Sequence, residues 1–271
     1  MDGELRVGHD PEDLRPGRTL QSLYLDPLAE RVRHGSVYPR SRQQLQLLVD
    51  IKNNGAATYT ELDRVLKSYR KMLTGYHKGR VKPGAVTVVI SGDRPRDLMA
   101  AQERRYAFYD GRMADLGQGD PALIPLISDN WTNHFTWTGV GEMPAAERDK
   151  LRQIVATAHR DGQRVRFWAT PDTAGPARDA LWRELVAADV DHINTDDLAG
   201  LEAFLRADDG RREAADPSRP PRTPVGSGTR LAAGLRYDFR NPPVQRYFRS
   251  SCLHSPASRR PPGSRWRPTP T

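Results

Sequence analysis

An acid and a lysine two positions apart, Asp50 and Lys52, close the apolar run Leu-Leu-Val-Asp-Ile-Lys at 47–52. Side chains two apart on a strand share a face, so a carboxylate and an ammonium stand together at one strand end. The carboxylate is a hard-oxygen ligand of the kind Mg²⁺ and Ca²⁺ take, and the ammonium is a point charge suited to a phosphoryl oxygen. On residue type alone the pair reads equally well as a salt bridge. His9-Asp10 follows a strand-like run, Glu4–Gly8. Imidazole is the commonest proton-transfer group in enzymes, although an isolated His-Asp in a loop reads first as a surface pair. Asp129 and Trp131, in Ser128-Asp129-Asn130-Trp131, are pocket candidates; an Asx-turn beside a packed Trp explains them as well. Asp196-Asp197 reads as a helix N-cap rather than a ligand pair. His34, His77, His134, His159, His192 and His254 have no ligand-like spacing.

The elements that must position these groups alternate from residue 44. Strand-like runs are Leu45–Lys52, Ala85–Ser91, Tyr106–Tyr109, Leu123–Ser128, Arg164–Ala169 and Asp191–Thr195. Helical periodicity lies between them. Leu62, Val65, Leu66, Tyr69 and Met72 mark a helix over Tyr59–Met72, with Thr58 and Glu61 as its capping box. Further helices are predicted over Pro95–Arg104, opened by Asp93 and Pro95, and over Pro144–Asp161, Ala177–Ala188 and Leu198–Leu205. Strands alternating with helices predict a parallel sheet with helices outside it. The strands end in polar residues, among them Asp50, Ser91, Asp110, Ser128 and Asp196, and function gathers at such ends in barrels and doubly wound sheets. Neither Gly-x-Gly-x-x-Gly nor Gly-x-x-x-x-Gly-Lys-Ser/Thr occurs, which removes the usual nucleotide fingerprints. The expected fold is α/β, a (β/α)8 TIM-type barrel.

Charge divides the chain of 271 residues in two. Of 42 basic and 34 acidic residues, the segment 208–271 holds 13 arginines, no lysine and five acids. That leaves 29 of each sign in 1–207, so the net charge of +8 belongs to the tail and a nucleic-acid partner is not expected for the body. The tail also contains 11 of the 22 prolines and Cys252. Without sustained apolar periodicity it buries too little surface to offset its ordering entropy. We therefore expect a body over 1–207 and a disordered Arg/Pro-rich tail over 208–271, with Gly234–Phe239 as a short strand candidate. Such a tail is either a basic arm for anionic partners or the product of a shifted reading frame. A body without cysteine leaves the redox compartment undetermined. No apolar run approaches a membrane span, and Asp2, Glu4 and Arg6 do not read as a signal peptide; localisation stays open.

Taken in order, His9-Asp10, Asp50-x-Lys52, Ser128–Trp131, Trp168 and Asn194–Asp197 resemble one family. The chain looks like the bacterial and fungal proteins grouped with altered inheritance of mitochondria protein 6. These sit in the phospholipase-C-like, glycerophosphodiester-phosphodiesterase-like barrel superfamily. The stretches Val7–Asp10 and Arg18–Leu28 carry the likeness most specifically, and it covers roughly 3–206. The resemblance implies a metal-assisted phosphoric diester hydrolase acting on a glycerophosphodiester or phospholipid-like molecule. In it His9 is one of two acid/base histidines, Asp50 one of three ligands to Mg²⁺ or Ca²⁺, Lys52 the phosphoryl contact and Trp168 a pocket wall. The family's opening His-containing motif and its Glu-x-Asp pair have no counterpart here, so strands one and two of the barrel are expected to be absent. That expectation carries two more: an inactive site, leaving a non-catalytic remnant as the alternative reading, and exposed sheet edges at Leu45–Ile51 and the last strand.

Overall fold

The computed structural model describes residues 4–38, 41, 43–215 and 251–254. Its main sheet has eight strands in the order β1 (Arg6–Val7), β11 (Ser251–His254), β2 (Leu45–Ile51), β5 (Val86–Gly92), β7 (Ala107–Gly111), β8 (Leu126–Asn130), β9 (Arg164–Trp168) and β10 (His192–Ile193). From β11 to β10 every neighbouring pair is parallel; β1 joins β11 antiparallel. The sheet is curled and open, a TIM-like half-barrel. Its helices are α1 (Asp26–Arg33), α2 (Gly55–Ser68), α3 (Arg96–Ala100), α4 (Ala145–Arg160), α5 (Pro176–Ala187) and α6 (Leu198–Ala215).

Strand parity separates two environments. In β2, Leu45, Leu47, Val49 and Ile51 are buried on the outer face. They pack in one core with Tyr59, Leu62, Val65 and Leu66 of α2. The apolar face read from the helical period is the face the helix buries. A second core joins Phe167 of β9 and Ile193 of β10 to Leu151, Ile154, Val155 and Ala158 of α4, Leu181, Trp182 and Leu185 of α5, and Leu201 of α6. Fully burying one such side chain contributes roughly 1.5–3 kcal/mol. On the inner face, Leu48, Val89, Phe108 and Leu126 make a small apolar floor with Tyr76.

Several local expectations are corrected. Helix α2 begins at Gly55, so Thr58 lies inside it and bonds Asn53 O instead of capping (2.9 Å). Its first N–H donates to Asp93 Oδ2, 2.8 Å away and from the far end of β5. A Cβ at Gly55 would meet Asp93 O at 2.2 Å, so only glycine allows this approach. The supposed opener of α3 is therefore a cap for α2. A small antiparallel sheet of β4 (Arg80–Lys82), β3 (Gly75–His77) and β6 (Arg104–Arg105) was not foreseen. Its members are too short to show a period.

The tail also differs from expectation. Helix α6 continues past 208 to Ala215, and Ser251–His254 forms β11. That strand pairs with β2, Cys252 opposite Asp50, so the β2 edge is covered by a neighbour and not exposed. Unpaired N–H and C=O groups along an edge are a template for another strand, which is the physical reason β11 can add there. Residues 216–250, with Gly234–Phe239, and 255–271 lie outside the described residues.

One histidine ties α4 to the strand ends. His159 Nε2 lies 2.8 Å from Asp191 Oδ2, which also accepts from Val165 N at 2.8 Å. The Asp191 hydrogen bond raises the His159 pKa above 6.5 against the opposing effect of burial. A raised folded-state pKa contributes stability that is complete below the unfolded value and lost as pH rises through the folded one. Urea midpoints taken at about pH 6 and about pH 9 should therefore fall more in the wild type than in His159→Gln; equal falls would contradict the assignment.

Candidate active site

Each inner strand turns from apolar to polar at its C-terminal end. Two residues beyond Leu48, Val89, Phe108 and Leu126 stand Asp50, Ser91, Asp110 and Ser128. Because side chains repeat every second residue, each polar group follows the apolar floor residue of its own strand on the inner face; Asp110 is in register with Leu126, so Ser128 stands one such step further along. Asp50 pairs in register with Ser91, and Ser128 with Arg166, which pairs in turn with His192. Two positions further on, Asn130 is in register with Trp168.

Hydrogen bonds link this layer across the sheet. Lys52 Nζ donates to Asp50 Oδ2 at 2.7 Å. Ser91 Oγ donates to Asp110 Oδ2 at 2.6 Å, and Arg112 Nη1 meets the same oxygen at 2.7 Å. Arg112 also reaches Ser91 Oγ (3.3 Å) and Ser128 O (3.1 Å). Arg166 donates to Ser128 Oγ at 3.0 Å and to Asn194 Oδ1. Asp110 is 1% exposed. Burial pushes its carboxyl up, against the pull of Arg112 and the Ser91 hydroxyl. Its Oδ1 is buried without a hydrogen-bond partner. His192 is buried below Asn194 and pushed down to about 3, by burial first and then by Arg164 and Arg166. It is held neutral.

The predicted residues fall into three groups. Asp50 and Lys52 come together at the end of β2, as their spacing requires. Trp168 stands at the end of β9, 37% exposed, at the rim of the same face. His9 lies exposed beyond β1, its N–H donating to Asp13 Oδ2 at 3.1 Å. Asp129 and Trp131 have other work. The Asp129 carboxylate accepts from Met113 N (3.0 Å) and Asn130 N (2.8 Å) and lies 3.2 Å from His134 Nε2. Burial would raise its pKa, but these partners outweigh that and hold it below the usual range. Trp131 is fully buried, stacked on Phe135 at 4.0 Å, with Nε1 donating to Trp137 O at 2.8 Å. It packs in the second core, from the turn that follows β8. Asp197 caps α6 through Gly200 N (2.8 Å), as expected.

Arg112 and Arg166 were missed. Arg112 follows β7 by one residue and Arg166 sits mid-strand in Arg-Val-Arg-Phe-Trp. The i+2 switch Phe108-x-Asp110-x-Arg112 was the available signal.

Asp50 is paired to a lysine and Asp110 to an arginine. Among the described residues no group of three or more His, Cys, Asp or Glu could hold a metal ion. Mg²⁺ asks for about two carboxylates together with phosphate and water, so these residues do not make a divalent-cation site on their own. What they do make is a strand-end layer of paired charges, Lys52 with Asp50 and Arg112 with Asp110, joined to Arg166 through Ser128.

An open parallel sheet with helices outside and polar groups along its C-terminal ends is a TIM-like α/β domain. Residues 1–110 match the AIM6-like phosphodiesterase domain, and 164–199 match the glycerophosphoryl diester phosphodiesterase family. The altered inheritance of mitochondria protein 6 homolog of Arthroderma benhamiae is 28% identical over 221 residues, covering 74% of this chain and 70% of the relative. The altered inheritance of mitochondria protein 6 of Eremothecium gossypii is 27% identical over 239 residues, and the match covers 74% of this chain and 59% of that protein. For Zygosaccharomyces rouxii the identity is 24% over 230 residues, with 72% and 56% covered. No solved structure matches the chain. By these matches the chain is similar to the AIM6-like phosphodiesterases and, over a shorter stretch, to the glycerophosphodiester-phosphodiesterase-like superfamily.

Gly92 controls the Asp50 position. At φ +74° it is left-handed, and a Cβ there would meet Asp50 Oδ1 at 2.1 Å and Ile51 O at 2.3 Å. Gly92→Ala should cost about 1–3 kcal/mol in urea denaturation. An unchanged midpoint would show that the Asp50 carboxylate is not held where the structure places it.

Proposed function

We propose that this chain is a phosphoric diester hydrolase domain acting on a glycerophosphodiester or phospholipid-like molecule. The observation that carries the reading is the Asp50–Lys52 pair at the end of β2, next to Ser91, in a chain whose residues 1–110 match a phosphodiesterase domain. Lys52 would meet a phosphoryl oxygen, with Asp50 fixing its ammonium. Water would attack phosphorus, the bond to the leaving alkoxide oxygen would break, and a proton would pass to that oxygen; His9 is the candidate for this transfer. Oriented charge of this kind is worth most where developing negative charge meets little water. Trp168 would wall the substrate at the rim.

A second reading has its own support. Both inner carboxylates are already neutralised by cations, which suits binding of an anionic diester without cleavage.

Release of glycerol 3-phosphate from glycerophosphocholine, followed with the full chain, separates the two. Lys52→Ala should lower turnover by about 10²-fold or more with the urea midpoint nearly unchanged, and His9→Asn should lower it as well. Wild-type turnover that survives Lys52→Ala would contradict the site. Saturable binding without any turnover would leave the second reading.

A further inference from the structure

The small antiparallel sheet has two unlike faces. Register pairs Gly75 with Lys82, Tyr76 with Val81 and His77 with Arg80, and on the other side Tyr76 with Arg105 and His77 with Arg104. Opposed residues of antiparallel strands share a face and successive residues alternate. Tyr76, Val81 and Arg105 therefore lie on one face, and Gly75, His77, Arg80, Lys82 and Arg104 on the other. Tyr76 and Arg105 seat the first face on the main sheet. Tyr76 packs against the floor of Val89, Phe108 and Leu126. Arg105 is buried, its guanidinium 3.8 Å from the Tyr76 ring centre and donating to Ala122 O.

The second face is basic and turned to solvent. His77, Arg80, Lys82 and Arg104 are all exposed, and Arg104 Nη2 rests 3.2 Å from His77 Nε2. Lys78 joins them from the turn, where it and Gly79 take φ of +46° and +82°, as a tight two-residue hairpin requires. From Arg64 to Gly92 the chain has seven Lys or Arg and no Asp or Glu. Arg64 and Lys67 are matched by acids of α2; the other five lead into the small sheet and cross it. Glu103 does reach Lys78, at 3.8 Å, with both side chains well exposed. Edge protection explains charge on β4 and β6 but not its single sign. Like charges on neighbouring strands repel, and mixed signs would guard the edges at lower cost.

We propose that the face carrying Lys78, Arg80, Lys82 and Arg104 docks on the surface of a bilayer containing anionic phospholipid. Each Lys or Arg near such a surface raises binding about fivefold, so four act strongly together. Three strands make a face about 10 Å wide, suited to a plane of head groups. Single-stranded nucleic acid is held by bases stacked on free aromatic rings. Tyr106 is the ring on this face, and it lies over Gly75, 3.1 Å from where a Cβ would stand, and packs into the first core. The face sits at the N-terminal end of the parallel strands, since Thr74 N donates to Val86 O, at the first residue of β5, at 2.8 Å. The candidate active site is at the far end of β5, roughly 20 Å away. Docking here does not rest on the hydrolase reading.

The test is flotation of the full chain with vesicles of phosphatidylcholine alone and of phosphatidylcholine mixed with phosphatidylserine. Binding to the mixed vesicles only, weakening as salt rises, is expected. Arg80→Glu with Lys82→Glu should weaken it at least about tenfold. The arginines of the tail are present in every sample, so a control of equal charge is needed. Arg152→Glu with Arg160→Glu, on exposed positions of α4, should change binding by less than about threefold. Arg80→Gln with Lys82→Gln decides the matter if the charge reversal does not fold. No binding, wild-type binding in the Arg80/Lys82 variants, or equal losses in the α4 control would overturn the proposal. So would unstructured RNA bound more tightly than vesicles and lost in the same variants, which would give the face to nucleic acid. A chain that floats with the mixed vesicles but turns over no diester would sink the hydrolase reading alone.

Discussion

Parallel register is the constraint on which the candidate site rests. Asp50 opposite Ser91, and Ser128 opposite Arg166, set where four strands change from apolar to polar and how they face β9. A slip of one residue on any strand would turn its polar group toward the helices and its leucine or valine toward the mouth. Both outer cores, and the apolar floor under Leu48, Val89, Phe108 and Leu126, resist such a slip. Packing on the outside of the sheet thus holds the chemistry on the inside.

The polar layer is buried enough that its charges must answer to one another. Asp110 stays on the floor because Ser91 and Arg112 share its Oδ2, and removing either partner would leave a buried acid costly to ionise. Arg112 is in turn placed by the Gly111 carbonyl of its own strand and by a carbonyl of β8 and a hydroxyl of β5. The arrangement is built on strands and the residues directly after them, with Trp168, 37% exposed, at its rim.

Much of the architecture was legible beforehand. The apolar runs at 45–52, 85–91 and 164–169 coincide with β2, β5 and β9, and the stripes of α2, α4 and α5 are the faces those helices bury. The Asp50-x-Lys52 pair needed only the two-residue period of a strand. Other readings failed where a distant residue took a local role. Asp93 caps α2 in place of Thr58, and β11 takes the edge of β2.

Sequence alone determined what repeats locally: which segments are strands or helices, which face of each is apolar, that the class is α/β, and that Asp50 and Lys52 sit together. Tertiary structure alone decided which groups meet. Arg112 and Arg166 reach Ser128 across sequence separations of 16 and 38 residues. Trp131 goes to the second core from the turn after β8, and Asp129 goes to His134 because Ser128 claims the inner face of β8. The reason is physical: a side chain's direction follows from its own backbone, whereas its partner follows from the register of other strands, which no local pattern encodes.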